Sequence, residues 1–432
     1  MKERFDAIIV GAGPAGTAAA LTLARGGWKV LQIERGESPG SKNVQGAILY
    51  SDSLQKLVPQ FREEAPLERH LVEQRLWVLD DRSYIGSTYR SPVSNGSPPD
   101  RYTILRAQFD KWFAKKAQEA GVLLICETTV LDLLREGKRV VGVRTDREDG
   151  EVYADIVILA DGVNSLLARK AGIRPELKAA EVALAVKEVL FYPQEILEER
   201  FGIQGDEGVA IEMIGKITRG MVGTAFLYTN KESLAVGIGC LLSDFRREKI
   251  PPYTLLEHLK EHPALKLLLR DGEMKEYTAH LIPEGGYKSI PKLSGDGWLI
   301  AGDAGMFVNS VHREGSNLAM ETGRIAAETL IEIKRAGESF NERNLRRYRQ
   351  SLDRSFVMKD LRKYRHLHGV LENNRHFLTT YPELVNQAAE TLLRVDGVDK
   401  RTKEREVARN FRKRRSYRGL LSDAVNLWRA IR

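Results

Sequence analysis

Apolar positions in the first 35 residues change period twice. Phe5–Val10 is a continuous apolar run, the pattern of a strand buried on both faces. Gly11–Gly16 interrupts it with a glycine-rich turn. Thr17–Arg25 is alanine-rich at helical spacing, and Trp28–Glu34 is apolar again. The order predicts strand, turn, helix, strand. Ser38–Leu49 has no period and reads as a long loop. Leu105–Ala120 is an amphipathic helix closed by Gly121. Val122–Val130, Arg139–Thr145 and Ala154–Ala160 read as strands.

The rhythm differs from Glu181 to Tyr287. Ala183–Tyr192, Gly208–Ile214, Gly220–Tyr228 and Leu234–Leu242 read as strands with polar or glycine turns between them, and Leu255–Leu269 reads as one helix. This predicts an antiparallel sheet in a second lobe. The nucleotide-domain pattern returns at Gly297–Leu330, and beyond Phe340 the chain is Arg-rich and helical. There is no internal repeat and no low-complexity linker. The expected organisation is α/β. A discontinuous nucleotide-binding domain takes residues 1–75, 101–180 and 288–340, a second domain takes 76–100 and 181–287, and a basic helical region takes 341–432.

With 432 residues the chain exceeds one ordinary core, which agrees with that division. No apolar run approaches the ~20 residues needed to span a bilayer. Met1-Lys2-Glu3-Arg4 runs straight into the first strand without a signal-peptide pattern, so a cytoplasmic protein is expected. The charge is uneven. Arg401–Arg432 holds 11 Lys/Arg and 3 Asp/Glu, which accounts for the whole net charge of +8. Such a basic tail points to an acidic partner or an anionic lipid surface; a solvated helical face is the alternative. It lacks aromatic interleaving and any recognisable module, so nucleic-acid binding is not expected. Cys126 and Cys240 both lie in apolar stretches and read as buried thiols. Two cysteines cannot supply four thiolates for an ordinary iron–sulfur cluster. The eight histidines show no metal-ligand spacing; His366 and His368 are two apart on a helix and point to different sides, so no metal is expected.

The chemistry begins at Gly11-Ala12-Gly13-Pro14-Ala15-Gly16, between a strand and a helix. Gly11 permits the tight turn, Gly13 lets the backbone approach a pyrophosphate, and Gly16 lets helix and strand pack closely. The helix start then offers N–H groups and a favourable dipole to phosphates. Glu34, 23 residues after Gly11, ends the second strand and can accept hydrogen bonds from a ribose. This motif fits FAD or NAD. Two further strands end in carboxylates, Val157-Ile158-Leu159-Ala160-Asp161-Gly162 and Trp298-Leu299-Ile300-Ala301-Gly302-Asp303. A carboxylate at the end of a buried strand needs donors, and ribityl hydroxyls would provide them. The alternative is an Asp that caps the next helix.

Together these segments resemble the glutathione-reductase-like FAD family of the two-domain hydroxylase type. The resemblance implies a three-layer, Rossmann-like parallel sheet binding one FAD, with a second lobe that shapes what the flavin reacts with. It implies that Glu34 binds the adenosine ribose, that Asp161 and Gly162 lie near the pyrophosphate and ribityl region, and that Gly302 and Asp303 meet the ribityl chain. Gly315-Ser316-Asn317 would open a helix facing the pyrimidine end of the flavin, with Arg106, Arg35 and Val130 also near the cofactor. A narrower likeness follows. Leu281-Ile282-Pro283-Glu284-Gly285-Gly286-Tyr287 and Ser289-Ile290-Pro291-Lys292-Leu293 look like the electron-transfer-flavoprotein:quinone oxidoreductases. Gly40-Ser41-Lys42-Asn43-Val44-Gln45-Gly46 and Ile104-Leu105-Arg106 with Phe109-Asp110 and Trp112 are similar to the FixC branch.

That resemblance implies a relay. Electrons enter FAD from an electron-transfer flavoprotein heterodimer and leave to a quinone, with peripheral contact at the inner face of the cell membrane. Lys42, Asn43, Gln45 and Gly46 would sit near the ring. Quinone contacts map onto Gly223 and Thr224, where the family's Gly-Gly is departed from, and onto Gly285 and Gly286. The larger family members carry a C-terminal iron–sulfur cluster for which this chain lacks cysteines. A separate small ferredoxin-like subunit is therefore expected. No residue is assigned as catalytic acid or base. The rival readings are a geranylgeranyl-reductase-like flavoenzyme and an FAD monooxygenase.

Overall fold

The computed structural model describes residues 4–41, 48–91 and 98–431. It divides into two compact units. The first comprises Met1–Glu68, Asp100–Val182 and His280–Arg362; the second comprises Arg69–Pro99, Ala183–Ala279 and Lys363–Arg432. The helical region is thus no unit of its own. The helices Glu342–Arg354 and Phe356–Lys363 fall in the first unit up to Arg362, and the later helices fall in the second.

The first unit is built on a sheet ordered Ser294–Gly295, Trp298–Ile300, Glu151–Leu159, Arg4–Val10, Val30–Ile33, Leu123–Ile125. Every pair from Trp298–Ile300 to Leu123–Ile125 is parallel. That direction explains the continuous apolar runs, because crossover helices cover both faces of such a sheet. Ile8, Ile9, Ile156, Val157, Ile158 and Leu299 have no exposed surface. The helices Pro14–Arg25, Arg106–Glu119 and Ser316–Arg335 pack together, the first touching both others. A hairpin, Val130–Glu136 with Arg139–Thr145, extends antiparallel from the start of Glu151–Leu159.

The hairpin corrects one expectation. Val122–Val130 is not one strand: it breaks at Glu127, whose φ is +49°, and Val130 opens the next strand instead. Cys126 therefore lies in a turn and is partly exposed, whereas Cys240 is buried as expected.

The second unit holds most of the strands Glu273–Pro283, Val182–Phe191, Ser233–Leu241, Gly223–Thr229, Glu207–Gly215 and Leu67–Leu79 in that order, with Tyr84–Arg90 on the last; residues 67–68, 182 and 280–283 are counted with the first. Most pairs are antiparallel, but Glu207–Gly215 runs parallel to Leu67–Leu79. These two strands are far apart in the chain, so no hairpin turn sets their direction. The expected helix Leu255–Leu269 is two helices, Pro252–Lys260 and Pro263–Lys266. Pro263 lacks the N–H that would continue the first helix and starts a new one at its N-terminus. His262 caps that new helix, its Nδ1 accepting from the Ala264 N–H at 3.2 Å.

The C-terminal helix Tyr417–Ile431 is tied down by Asp423. This buried carboxylate accepts from Arg415 at 2.6 and 2.8 Å and from the Tyr381 hydroxyl at 2.7 Å, and lies 2.9 Å from His376. The opposite side of the helix carries Leu421, Val425 and Trp428, 69%, 37% and 54% exposed. Among the described residues no helix is long and apolar enough to cross a membrane.

Candidate cofactor site

Parallel register brings the predicted carboxylates to one edge. Val10 lies level with Ile33 and Leu159, and Leu159 lies level with Ile300. The residues that follow, Gly11, Glu34, Ala160–Asp161 and Ala301–Gly302–Asp303, therefore emerge side by side at the carboxyl ends of four strands. Ligands of open α/β sheets bind at this edge.

The glycines of the turn divide by role. Gly11 has φ +103°, and a Cβ there would lie 2.3 Å from the Ala160 carbonyl oxygen. A Cβ on Gly16 would lie 2.1 Å from the Gly11 carbonyl oxygen. Both are required by the chain's own packing. A Cβ on Gly13 would meet nothing within 4 Å. Protein packing does not explain Gly13; open space above the start of the helix Pro14–Arg25 does. That helix has no side-chain cap, so its first N–H groups are available to an anion.

Glu34 braces the turn: its carboxylate accepts from the Ala12 N–H at 2.9 Å and the Gly36 N–H at 2.8 Å. Beside it, Arg35, Glu37, Ser41, Glu127, Thr129 and Asp146 line a cavity of about 410 Å³. Asp161 does what the alternative reading expected. It accepts from the Ser165 hydroxyl at 3.0 Å and the Leu167 N–H at 3.4 Å, at the start of the helix Leu166–Lys170. Burial raises its pKa, and those bonds oppose the rise.

Asp303 differs. Among the described residues its carboxylate accepts no hydrogen bond. Burial pushes its pKa from 3.8 to about 6, against the pull of Arg106 and Arg174. Its turn is held on two sides. The Gly302 N–H donates to Thr322 Oγ1 at 3.0 Å, and Arg174 donates to the carbonyls of Val163 and Ala304, each at 3.0 Å. Arg174 thus clamps the Asp161 turn to the Asp303 turn. It lies in an unpatterned stretch, and no sequence signal marked it.

Arg106 opens its helix and forks onto Asp110 at 2.9 and 2.8 Å, both residues buried. Asp110 was readable as a partner from its i,i+4 spacing. The helix Ser316–Arg335 follows Gly315 without a side-chain cap, and the buried Asn317 Oδ1 has no hydrogen-bond partner among the described residues.

Two titratable groups went unnoticed in the sequence. Burial pushes the His280 imidazole down to about 4, with Arg106 and Arg35 adding to the effect. Burial pushes the Glu284 carboxyl up to about 7, opposed by a hydrogen bond to Ser310 and by Arg313. Gly285 donates its N–H to the Glu181 carbonyl at 2.9 Å, and Gly286 has φ +59°. Gly285 and Gly286 belong to the first unit, whereas Gly223 and Thr224 open a strand of the second. Lys42, Asn43, Gln45 and Gly46 lie outside the described residues. Among the described residues no group of three His, Cys, Asp or Glu could hold a metal ion.

The edge therefore offers uncapped N–H groups for a diphosphate, a donor-free carboxylate for hydroxyls, and a second uncapped helix start. Residues 4–351 match the FAD binding domain family, and residues 367–432 match the ETF-QO/FixC family C-terminal domain. Protein FixC of Azotobacter vinelandii is 61% identical over 431 residues, covering 100% of both chains. The chain belongs to the FixC family.

Other FixC proteins agree. That of Bradyrhizobium diazoefficiens is 56% identical across 100% of both chains, and that of Escherichia coli K12 is 40% identical over 95% of this chain and 96% of its own. Among solved structures, a geranylgeranyl bacteriochlorophyll reductase-like protein from Thermoplasma acidophilum superposes with a TM-score of 0.73. It is 20% identical and covers 98% of this chain and 99% of its own. The myxobacterial chondrochloren halogenase gives 0.63 at 20% identity, over 82% and 80%. At such identity these two carry the fold alone, and that fold is the glutathione-reductase-like FAD fold. The protein is an FAD oxidoreductase.

The unpartnered Asp303 yields a prediction. A carboxyl raised from 3.8 to about 6 in the folded chain leaves stability highest below pH 3.8 and lost as pH rises through 6. Ionised Asp303 thus destabilises the cofactor-free protein at pH 8 by up to about 3 kcal/mol. Asp303→Asn is expected to raise the melting temperature of cofactor-free protein at pH 8 and to leave it unchanged near pH 4. The same variant should bind FAD more weakly. Thermal melts at the two pH values, paired with flavin fluorescence titration, check both parts.

Proposed function

We propose that this FixC-family flavoprotein takes electrons from an electron-transfer flavoprotein and passes them through FAD to a membrane quinone. The observation that carries this reading is the joining, in one chain, of the FAD-binding edge and the ETF-QO/FixC C-terminal domain at residues 367–432.

The residues present fit FAD. The open space over Gly13 and the uncapped start of the following helix suit the pyrophosphate. The cavity beside Glu34 suits the adenosine, and Asp303 suits the ribityl hydroxyls. The uncapped helix start at Ser316 and the buried Asn317 Oδ1 suit the polar end of the ring. Asp161 keeps the pyrophosphate turn in place through its helix cap. When bound, FAD supplies the capacity to accept and release electrons singly or in pairs. The chain holds that cofactor and orients its polar groups; the positive end of the Ser316–Arg335 helix favours negative charge nearby.

The quinone would meet the positions assigned by resemblance, Gly223, Thr224, Gly285 and Gly286. With only two cysteines, an iron–sulfur relay belongs to a separate small ferredoxin-like subunit. The exposed Arg405, Arg409, Arg412 and Lys413 on the helix Lys400–Arg414 support docking of an acidic partner there. The apolar stripe of Leu421, Val425 and Trp428 with nearby Arg418 and Arg429 supports peripheral membrane contact.

The deciding measurement is anaerobic. Reduced electron-transfer flavoprotein is mixed with the complex and a soluble ubiquinone or menaquinone analogue, and quinol formation is followed. Quinol formation that requires this chain supports the reading. NADPH consumption by the isolated chain, or saturation of a prenyl lipid without quinone turnover, overturns it. Arg405→Glu/Arg409→Glu/Lys413→Glu is expected to weaken partner docking at least tenfold at low salt while leaving FAD content unchanged. The difference should shrink as salt rises. Surface-plasmon binding at two salt concentrations checks this.

A further inference from the structure

The sequence marked no residue as a catalytic acid or base. The structure contains several perturbed groups in the first unit, and most are committed elsewhere. Asp110 is forked by Arg106. Asp161 caps a helix. Glu314 closes its loop against Asn309, with backbone bonds of 2.9 and 3.1 Å and a side-chain bond of 3.1 Å. His280 is neutral down to about pH 4 and carries no second proton at neutral pH.

Asp303 is raised as well, but it stands at the strand end proposed above for the ribityl hydroxyls. Glu284 is the exception. It sits where the strand Glu273–Pro283 ends, and its N–H donates to the Glu181 carbonyl at 2.8 Å. Its carboxyl is hydrogen-bonded to Ser310 and faces Arg313. Both partners lie within the loop closed by the Asn309–Glu314 bridge. That loop runs directly into Gly315 and the uncapped start of the helix Ser316–Arg335, the end of the site proposed above for the polar edge of the ring. One loop therefore carries the carboxyl's partners and leads into the ring's expected resting place.

We infer that Glu284 is the proton-exchanging carboxyl of the flavin site, giving its proton to the cofactor when electrons arrive from the reduced flavoprotein partner. Two electrons entering the oxidised ring add negative charge, and one proton compensates half of it. The Glu284 Oε–H bond breaks and the proton moves to the ring. The carboxylate left behind keeps the Ser310 hydrogen bond and the Arg313 charge. Solvent water returns a proton before the next cycle. The carboxyl titrates near pH 7, so it holds or yields a proton under ordinary conditions at small expense. The other groups around it are the Glu181 backbone and the Glu314–Asn309 pair on the same loop.

This inference rests on the FAD placement proposed above, and its test is independent of quinone and of partner. The midpoint potential of bound FAD is measured by spectroelectrochemistry from pH 5.5 to 8.5. In the native protein its plot against pH is expected to change slope near 7, and Glu284→Gln should lack that break. Ser310→Ala and Arg313→Gln each remove a group that favours the carboxylate, so each should move the break to higher pH. If Glu284→Gln binds no FAD, these two variants decide. A break at unchanged pH in all variants that retain FAD overturns the inference. Failure of the FAD placement shows separately, as FAD retained by Gly13→Val.

Discussion

Gly13→Val is expected to yield folded, colourless protein. The Gly13 backbone has φ −75° and ψ −177°, a conformation any residue adopts, and its Cβ position is empty. The cofactor-free variant should therefore match the native chain in stability to within ~1 kcal/mol. FAD binding should behave otherwise. A branched side chain fills the space over the helix start, displaces the pyrophosphate from N–H groups worth up to ~2 kcal/mol, and adds ~1–3 kcal/mol of overpacking. The expected loss is about 4 kcal/mol, or roughly 1,000-fold in affinity. Flavin content after purification and reconstitution with excess FAD read the effect directly. Gly16→Ala is the control, because its Cβ would lie 2.1 Å from the Gly11 carbonyl oxygen. That variant should lose stability with or without FAD. Stoichiometric FAD in Gly13→Val would remove the basis for the pyrophosphate assignment.

Arg106→Met is expected to destabilise the cofactor-free protein by about 3–5 kcal/mol, the usual consequence of stranding one member of a buried ion pair. Asp110 would be left without its two guanidinium donors, and Glu34 already pushes its pKa upward. Protonation of Asp110 limits the damage, so the loss should be greater at pH 8 than at pH 5. Asp303 suffers too. Arg106 is the leading charge holding its carboxyl down, so that carboxyl should rise further and FAD should bind less tightly at neutral pH. The double variant Arg106→Met/Asp110→Leu should recover most of the stability, because no buried charge is then stranded. Urea unfolding of the single and double variants at both pH values gives the comparison. A loss under ~1 kcal/mol in the single variant would mean that water reaches the pair and screens it.

The nucleotide-binding turn was legible in the chain because its signals are local. A strand, three glycines and a helix within Phe5–Arg25 meet the same constraints wherever they occur. Strand-end carboxylates were legible for a similar reason: Asp161 and Asp303 each follow an apolar run whose burial forces a polar residue to the sheet edge. Breaks inside apolar runs were harder. Val122–Val130 looks continuous because the left-handed Glu127 carries no glycine to announce its turn. The two short helices around Pro263 look like one because leucines recur at helical spacing on either side of it.

Residue order alone therefore settled which chemistry the chain carries: an FAD-type turn, acidic strand ends, a basic helical end and too few thiolates for a cluster. Folding determined how each group is used. Asp161 and Asp303 each follow an apolar strand in sequence. Yet Asp161 meets the N–H of a following helix, whereas Asp303, with Arg174 bonded to the carbonyl of the very next residue, is left without a donor. Burial raises the Glu284 carboxyl to about 7, and Ser310 and Arg313, which arrive from a later loop, keep it from rising further. Desolvation and the direction of a hydrogen bond depend on atoms brought from distant segments, so no local pattern can encode them.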